Sequence, residues 1–149
     1  MFRFRFATRF ILLLALFALV TSAVYAQEAP ECEVGFRLFD HELLATDPVC
    51  IPENPQRIVA IDSYALENLL TLGIKPVGSA VGGVFSVEYP QLADQLEGVA
   101  DLGGFPPSLE ATLNLQPDLI IAIEPWIADT YAEFSAIAPT ISISFDEVV

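Results

Sequence analysis

Basic residues are scarce in this chain. Six lysines and arginines stand against 20 aspartates and glutamates, for a net charge of −14. Nucleic-acid binding needs a basic footprint, so that class of partner is excluded. Histidine occurs once, as His41, in a segment that reads as the surface of a hairpin. There is no Gly-x-Ser-x-Gly elbow and no Walker phosphate loop. Gly82-Gly83 and Gly103-Gly104 lack the spacing of a dinucleotide fingerprint. With no catalytic constellation in view, neither an enzyme activity nor a cofactor is expected. Repeats and low-complexity tracts are absent too. One long apolar run exists, Phe10 to Val20, and its eleven residues fall short of the about 20 that span a bilayer.

What surrounds that run is a secretory leader. Arg3, Arg5 and Arg9 form a basic start, and Val24-Tyr25-Ala26 fits a small-residue cleavage site. Residues 1–26 therefore read as a signal peptide, with export to the periplasm or cell surface. Ala29-Pro30-Glu31 before Cys32 does not look like a lipoprotein cleavage box, so no lipid anchor is expected. Removing the leader leaves Arg37, Arg57 and Lys75 against all 20 acidic residues, a net charge of −17. Such a surface keeps an exported protein soluble and favours basic partners.

Two cysteines follow, Cys32 and Cys50. Export permits a disulfide. The pair flanks a hairpin whose strands are expected at Val34–Asp40 and Pro48–Ile51, and closing that loop is worth about 3 kcal/mol in the chain-entropy model. A metal site is the alternative, but no cysteine or histidine pair sits nearby at ligand spacing.

About 123 mature residues, 27–149, suit one domain. After the hairpin, strands and helices alternate. Arg57–Ile61 reads as a strand. Tyr64–Leu72 reads as a helix, with Leu66, Leu69 and Leu70 on one face and Gly73 as its C-terminal cap. Val77–Ala80 is a second strand, Tyr89–Leu96 a short helix, and Gly98–Leu102 contains another strand. In Pro107–Ala122, Leu109 and Leu113 share a helical face, Pro117 stops the helix, and Leu119 to Ile123 is apolar throughout. A strand covered on both faces has that pattern. Ile127, Tyr131, Phe134 and Ile137 form the stripe of one more helix, and Thr140–Phe145 is the last strand. The fold class is α/β: an open, mostly parallel, doubly wound sheet forming a single Rossmann-like lobe, with an N-terminal β-hairpin.

In such sheets ligands bind beyond the carboxyl ends of the strands. Four loops belong there: Asp62-Ser63-Tyr64, Gly82-Gly83-Val84-Phe85, Gly103-Gly104-Phe105-Pro106 and Glu124-Pro125-Trp126. Each carries an aromatic residue, and Tyr64, Phe85, Phe105 and Trp126 are the candidate ligand contacts. Aromatics supply large, rigid apolar area and faces that hold cations. Ordinary packing beneath a loop is the competing account of each. Cover by a further lobe is another.

The Pro107–Ala122 unit, with Pro55-Gln-Arg-Ile-Val-Ala-Ile-Asp62 before it, resembles the N-terminal lobe of periplasmic substrate-binding proteins for iron-siderophores and cobalamin. These proteins serve ATP-binding-cassette importers. The resemblance runs from about Val34 to Phe145. It implies a solute-binding component that captures a ferric-siderophore complex and presents it to a membrane permease. The iron would be held through its chelator, with no protein ligand. A cobalamin binder of the same fold is the alternative, and a stand-alone secreted interaction module is another. The family continues with a bridging helix and a second lobe, whereas this sequence stops at Val149. The expectation is one lobe, truncated or partnered by another chain. Glu110 matches the glutamate with which the family docks on permease arginines, although a carboxylate there also offsets the helix macrodipole. Members that take anionic ferric complexes place arginines in the edge loops. Here those loops hold Asp62, Glu124 and Glu88, which implies a neutral or cationic chelate of hydroxamate type. Asp62 also sits where a helix N-cap belongs.

Overall fold

Alternation inside two short apolar runs builds the core. In a computed structural model, which describes residues 31–80, 93–104 and 106–145, strand β3 (Ile58–Ala60) turns Ile58 and Ala60 to one face of a sheet. Val59 and the following Ile61 face the other way. Strand β6 (Leu119–Ile123) divides likewise, Leu119 and Ile121 against Ile120 and Ala122. Both faces are covered, which is why the sequence of β6 shows no polar alternation.

The strands β4 (Gly78–Ser79), β5 (Ala100–Asp101) and β7 (Thr140–Ile143) complete a five-stranded sheet of order β5-β4-β3-β6-β7, parallel throughout. Helix α1 (Ser63–Thr71) and the short α2 (Ala93–Leu96) lie on one face. On the other lie α3 (Leu109–Asn114), the single turn α4 (Glu124–Ile127) and α5 (Tyr131–Ile137). The chain winds outward from β3 to β5, then crosses back to β6, so the direction of winding reverses between β3 and β6.

Local chemistry sets the element ends. Gly73 adopts φ +74° after α1, its N–H donates to Leu70 O, and the Ile74 N–H donates to Leu69 O. These two bonds form a Schellman stop, available to glycine at little steric cost. Ser108 caps α3, its Oγ accepting from the Ala111 N–H at 3.1 Å. A Cβ on Gly78 would run into the Leu115 side chain, so glycine lets α3 close onto β4.

The hairpin consists of β1 (Phe36–Phe39) and β2 (Val49–Pro52), antiparallel, with Cys32 bonded to Cys50. Its connection does a second job. Leu44 pairs antiparallel with Ile143, through Ala45 N–H to Ser142 O and Ser144 N–H to Leu43 O. The outer edge of β7 is thereby covered, as exposed edges generally must be.

Three expectations need correction. Leu113 does not share the buried face of Leu109; it is 57% exposed, and Thr112 is buried instead. The short helix meets the sheet along a line closer to i, i+3 than to i, i+4. The helix expected from Ile127 to Ile137 is interrupted by a 3₁₀ turn, Ala128–Thr130. Asp129 and Thr130, poor helix-interior residues, occupy the break, while Ile127 and Phe134 stay buried in one cluster. The buried face of α1 is Ala65, Leu66 and Leu69, with Leu70 only partly covered.

Candidate functional site

The carboxyl edge, at the β3–β6 reversal, is where a doubly wound sheet offers its crevice. Asp62 stands at that point. It follows β3, is 1% exposed, and divides its carboxylate between two elements. Oδ1 accepts from the Ala65 N–H at 3.0 Å, capping α1. Oδ2 accepts from the Ile123 N–H, at the end of β6, at 2.7 Å. Burial raises the carboxyl's pKa above its usual 3.8, against the opposing pull of the Ala65, Ile123 and Tyr64 N–H groups. The N-cap reading of Asp62 fits this geometry. The bond to Ile123 joins residues 61 apart and leaves no trace in local spacing.

Beside Asp62 runs an apolar groove of about 330 Å³. One wall is α1, through Tyr64, Ala65, Asn68 and Leu72. The floor and other wall are Ile121, Ile123 and Ile143. Tyr64 is 44% exposed and meets Phe145 edge-on, ring centroids 6.1 Å apart. Trp126, 45% exposed, sits in α4 directly after β6. Of the four aromatic candidates, Tyr64 and Trp126 are thus placed at this edge on half-exposed helical turns. Phe85 and Phe105 lie outside the described residues, as do Glu88 and the Gly82-Gly83 loop. Glu110 is exposed in the first turn of α3, two residues after the Ser108 cap.

The three cations among the described residues lie elsewhere. Arg37 stacks over the Phe39 ring on the hairpin, 5.9 Å from its centroid. Arg57 is at the opposite, amino edge, where its guanidinium donates to Leu115 O and Gln116 O beyond α3. Lys75 follows α1 at that same amino end. Beside Arg57, Asp118 accepts from the Gln56 and Arg57 N–H groups at 2.7 and 2.8 Å. Sequence reasoning missed this clamp for the same reason of distance along the chain. His41 is exposed, its Nδ1 accepting from the Leu43 N–H. Among the described residues, no group of three or more His, Cys, Asp or Glu side chains is placed to hold a metal.

No protein-family model matches the chain. Individual proteins do. The probable siderophore-binding lipoprotein YfiY of Bacillus subtilis is 41% identical over 92 residues, covering 61% of this chain and 28% of that protein. The iron(3+)-hydroxamate-binding protein YxeB of the same organism is 41% identical over 98 residues, 66% of this chain and 28% of that protein. The putative ABC transporter substrate-binding lipoprotein YhfQ, also from B. subtilis, is 32% identical over 136 residues, 90% of this chain and 40% of that protein. Among solved structures, Staphylococcus aureus SirA complexed with staphyloferrin B superposes with a TM-score of 0.63 at 29% identity, over 72% of this chain and 36% of SirA. The petrobactin-binding protein YclQ of B. subtilis gives 0.60 at 30% identity, over 72% and 37%. All but SirA, which is complexed with staphyloferrin B, are binding proteins by name. By sequence and by fold, the chain is related to the siderophore-binding proteins of iron importers, and it spans 28–40% of the length of these curated relatives.

Proposed function

We propose that the chain is the solute-binding component of an ABC importer, working outside the cytoplasm, and that it captures a ferric-siderophore complex at the carboxyl edge of its sheet. The observation that carries this reading is the edge itself: an apolar groove lined by Tyr64, with Trp126 half-exposed on the turn that follows β6, at the winding reversal, in a chain whose relatives are named for siderophore binding. Capture needs no bond-making chemistry. The chelator satisfies the iron, aromatic and aliphatic surface meets the chelator, and a second lobe would close over it. The siderophore relatives favour this reading over cobalamin. Glu110, projecting from the first turn of α3, is the proposed contact for a permease arginine. Export behind the 1–26 leader suits a bonded Cys32–Cys50 pair.

The ligands named for the relatives differ, among them a hydroxamate, staphyloferrin B and petrobactin. The finer assignment rests on charge. Arg57 and Lys75 stand at the amino edge and Arg37 on the hairpin, while the ionisable groups that directly follow β3 and β6, Asp62 and Glu124, are acidic. Desolvating carboxylates beside an anionic complex is costly. A neutral or cationic ferric trihydroxamate should therefore bind more tightly than ferric citrate. Trp126, the chain's one tryptophan, reports both titrations by its fluorescence. Tighter binding of citrate would overturn the hydroxamate assignment, and failure to bind either complex would overturn the capture reading.

A further inference from the structure

The two donors to Asp62, Ala65 and Ile123, both line the groove, one on each wall. The carboxylate is therefore a strut between α1 and β6 at the mouth of the groove. Tyr64 lies two residues beyond Asp62, and Trp126 three residues beyond Ile123. Capping α1 alone would require only one acceptor, which serine, threonine or asparagine supplies without a buried charge. The second oxygen is spent on β6. We propose that Asp62 is a positioning residue that fixes the separation between the Tyr64-bearing start of α1 and the end of β6, which leads into the Trp126 turn, and so sets ligand affinity without touching the ligand. This rests on the capture reading above, and it identifies which buried group holds that site open at one width.

Asp118 supplies the matched control. It joins the same pair of strands at their amino ends, accepting from the Gln56 and Arg57 N–H groups, and is not among the residues that line the groove. The test compares Asp62→Ser with Asp118→Asn. Serine keeps a cap for α1 and is too short to reach the Ile123 N–H. Three measurements are made on each chain: thermal melting, acrylamide quenching of Trp126 without ligand, and titration with ferric desferrioxamine. Both variants should melt at lower temperature than the unmodified chain. Asp62→Ser alone should change Trp126 quenching, and it should weaken ferric desferrioxamine binding about tenfold at a temperature where both variants remain folded. Should Asp62→Ser not fold, Asp62→Asn replaces it. Its amide keeps one acceptor and sets an NH₂ against the Ile123 N–H, so the same changes are expected in smaller size. Unchanged quenching in the Asp62 variant, or equal changes in both variants, would overturn the proposal, because a merely structural role moves only the melting temperature. If the unmodified chain does not bind ferric desferrioxamine, the hydroxamate assignment is at fault, and the ligand-free quenching still decides the role of Asp62.

Discussion

At the residue scale, Asp62 sets two effects against each other. Its carboxylate collects backbone N–H donors, which favour the charge, yet it is buried, which disfavours it, and burial prevails. The folded carboxyl therefore holds its proton to higher pH than the unfolded one. Between 3.8 and the raised value the native state binds more protons, and stability falls as pH rises. The proton-linked part of the Asp62 contribution is thus fully present below 3.8 and is lost as pH climbs through the folded pKa. Other carboxylates have trends of their own, so the useful quantity is the difference in unfolding free energy between the unmodified chain and Asp62→Asn. Urea unfolding from pH 3 to 7 should show the advantage of the unmodified chain shrinking with rising pH. An advantage that grows would mean that the hydrogen bonds outweigh burial. The capping half of this residue's role was legible, since a cap is read from neighbours. So was the Gly73 stop, which needs only a glycine after an apolar stripe. The bonds of Asp62 to Ile123, and of Asp118 to Arg57, depend on which strands become neighbours, and spacing along the chain does not carry that.

Elements were legible where one physical rule decides them. Leu119 to Ile123 is apolar at each position because β6 is covered on both sides, and length and flanking Pro117-Asp118 mark it as a strand. The 3₁₀ break after α4 was not legible, because its buried stripe continues across it and no proline or glycine announces it. The hairpin was legible as a hairpin, but its second role was hidden. Leu43 to Ala45 closes the edge of β7, so fixing the hairpin also protects the sheet. The Cys32–Cys50 bond holds the chain entering β1 against β2 across a separation of 18 residues. Replacing both cysteines by serine should cost about 3 kcal/mol, by the loop-closure model. Urea unfolding of the two forms measures it. Thiol labelling of the unreduced, exported protein should find no reactive cysteine, and two reactive thiols per chain would contradict the bond.

For the whole molecule, the order β5-β4-β3-β6-β7 is what brings distant residues to one edge. It puts the groove beside α1 and starts α3, with Glu110 in its first turn, on the opposite face of the sheet. Ligand capture and permease docking would then use different surfaces, and a change at one should leave the other intact. Glu110→Arg is the sharpest test of that separation. Reversing the sign removes the favourable macrodipole interaction, typically about 0.3–1 kcal/mol, so the melting temperature should fall slightly. Against a permease arginine it would set like charges together, where juxtaposition can cost several kcal/mol. Uptake of ferric hydroxamate by cells carrying the importer should drop sharply, while the Trp126 titration of the isolated protein stays nearly unchanged. Equal loss of binding and uptake would place Glu110 in the ligand site instead. Unchanged uptake would leave it as a charge that steadies the start of α3, which the geometry beside Ser108 already accommodates.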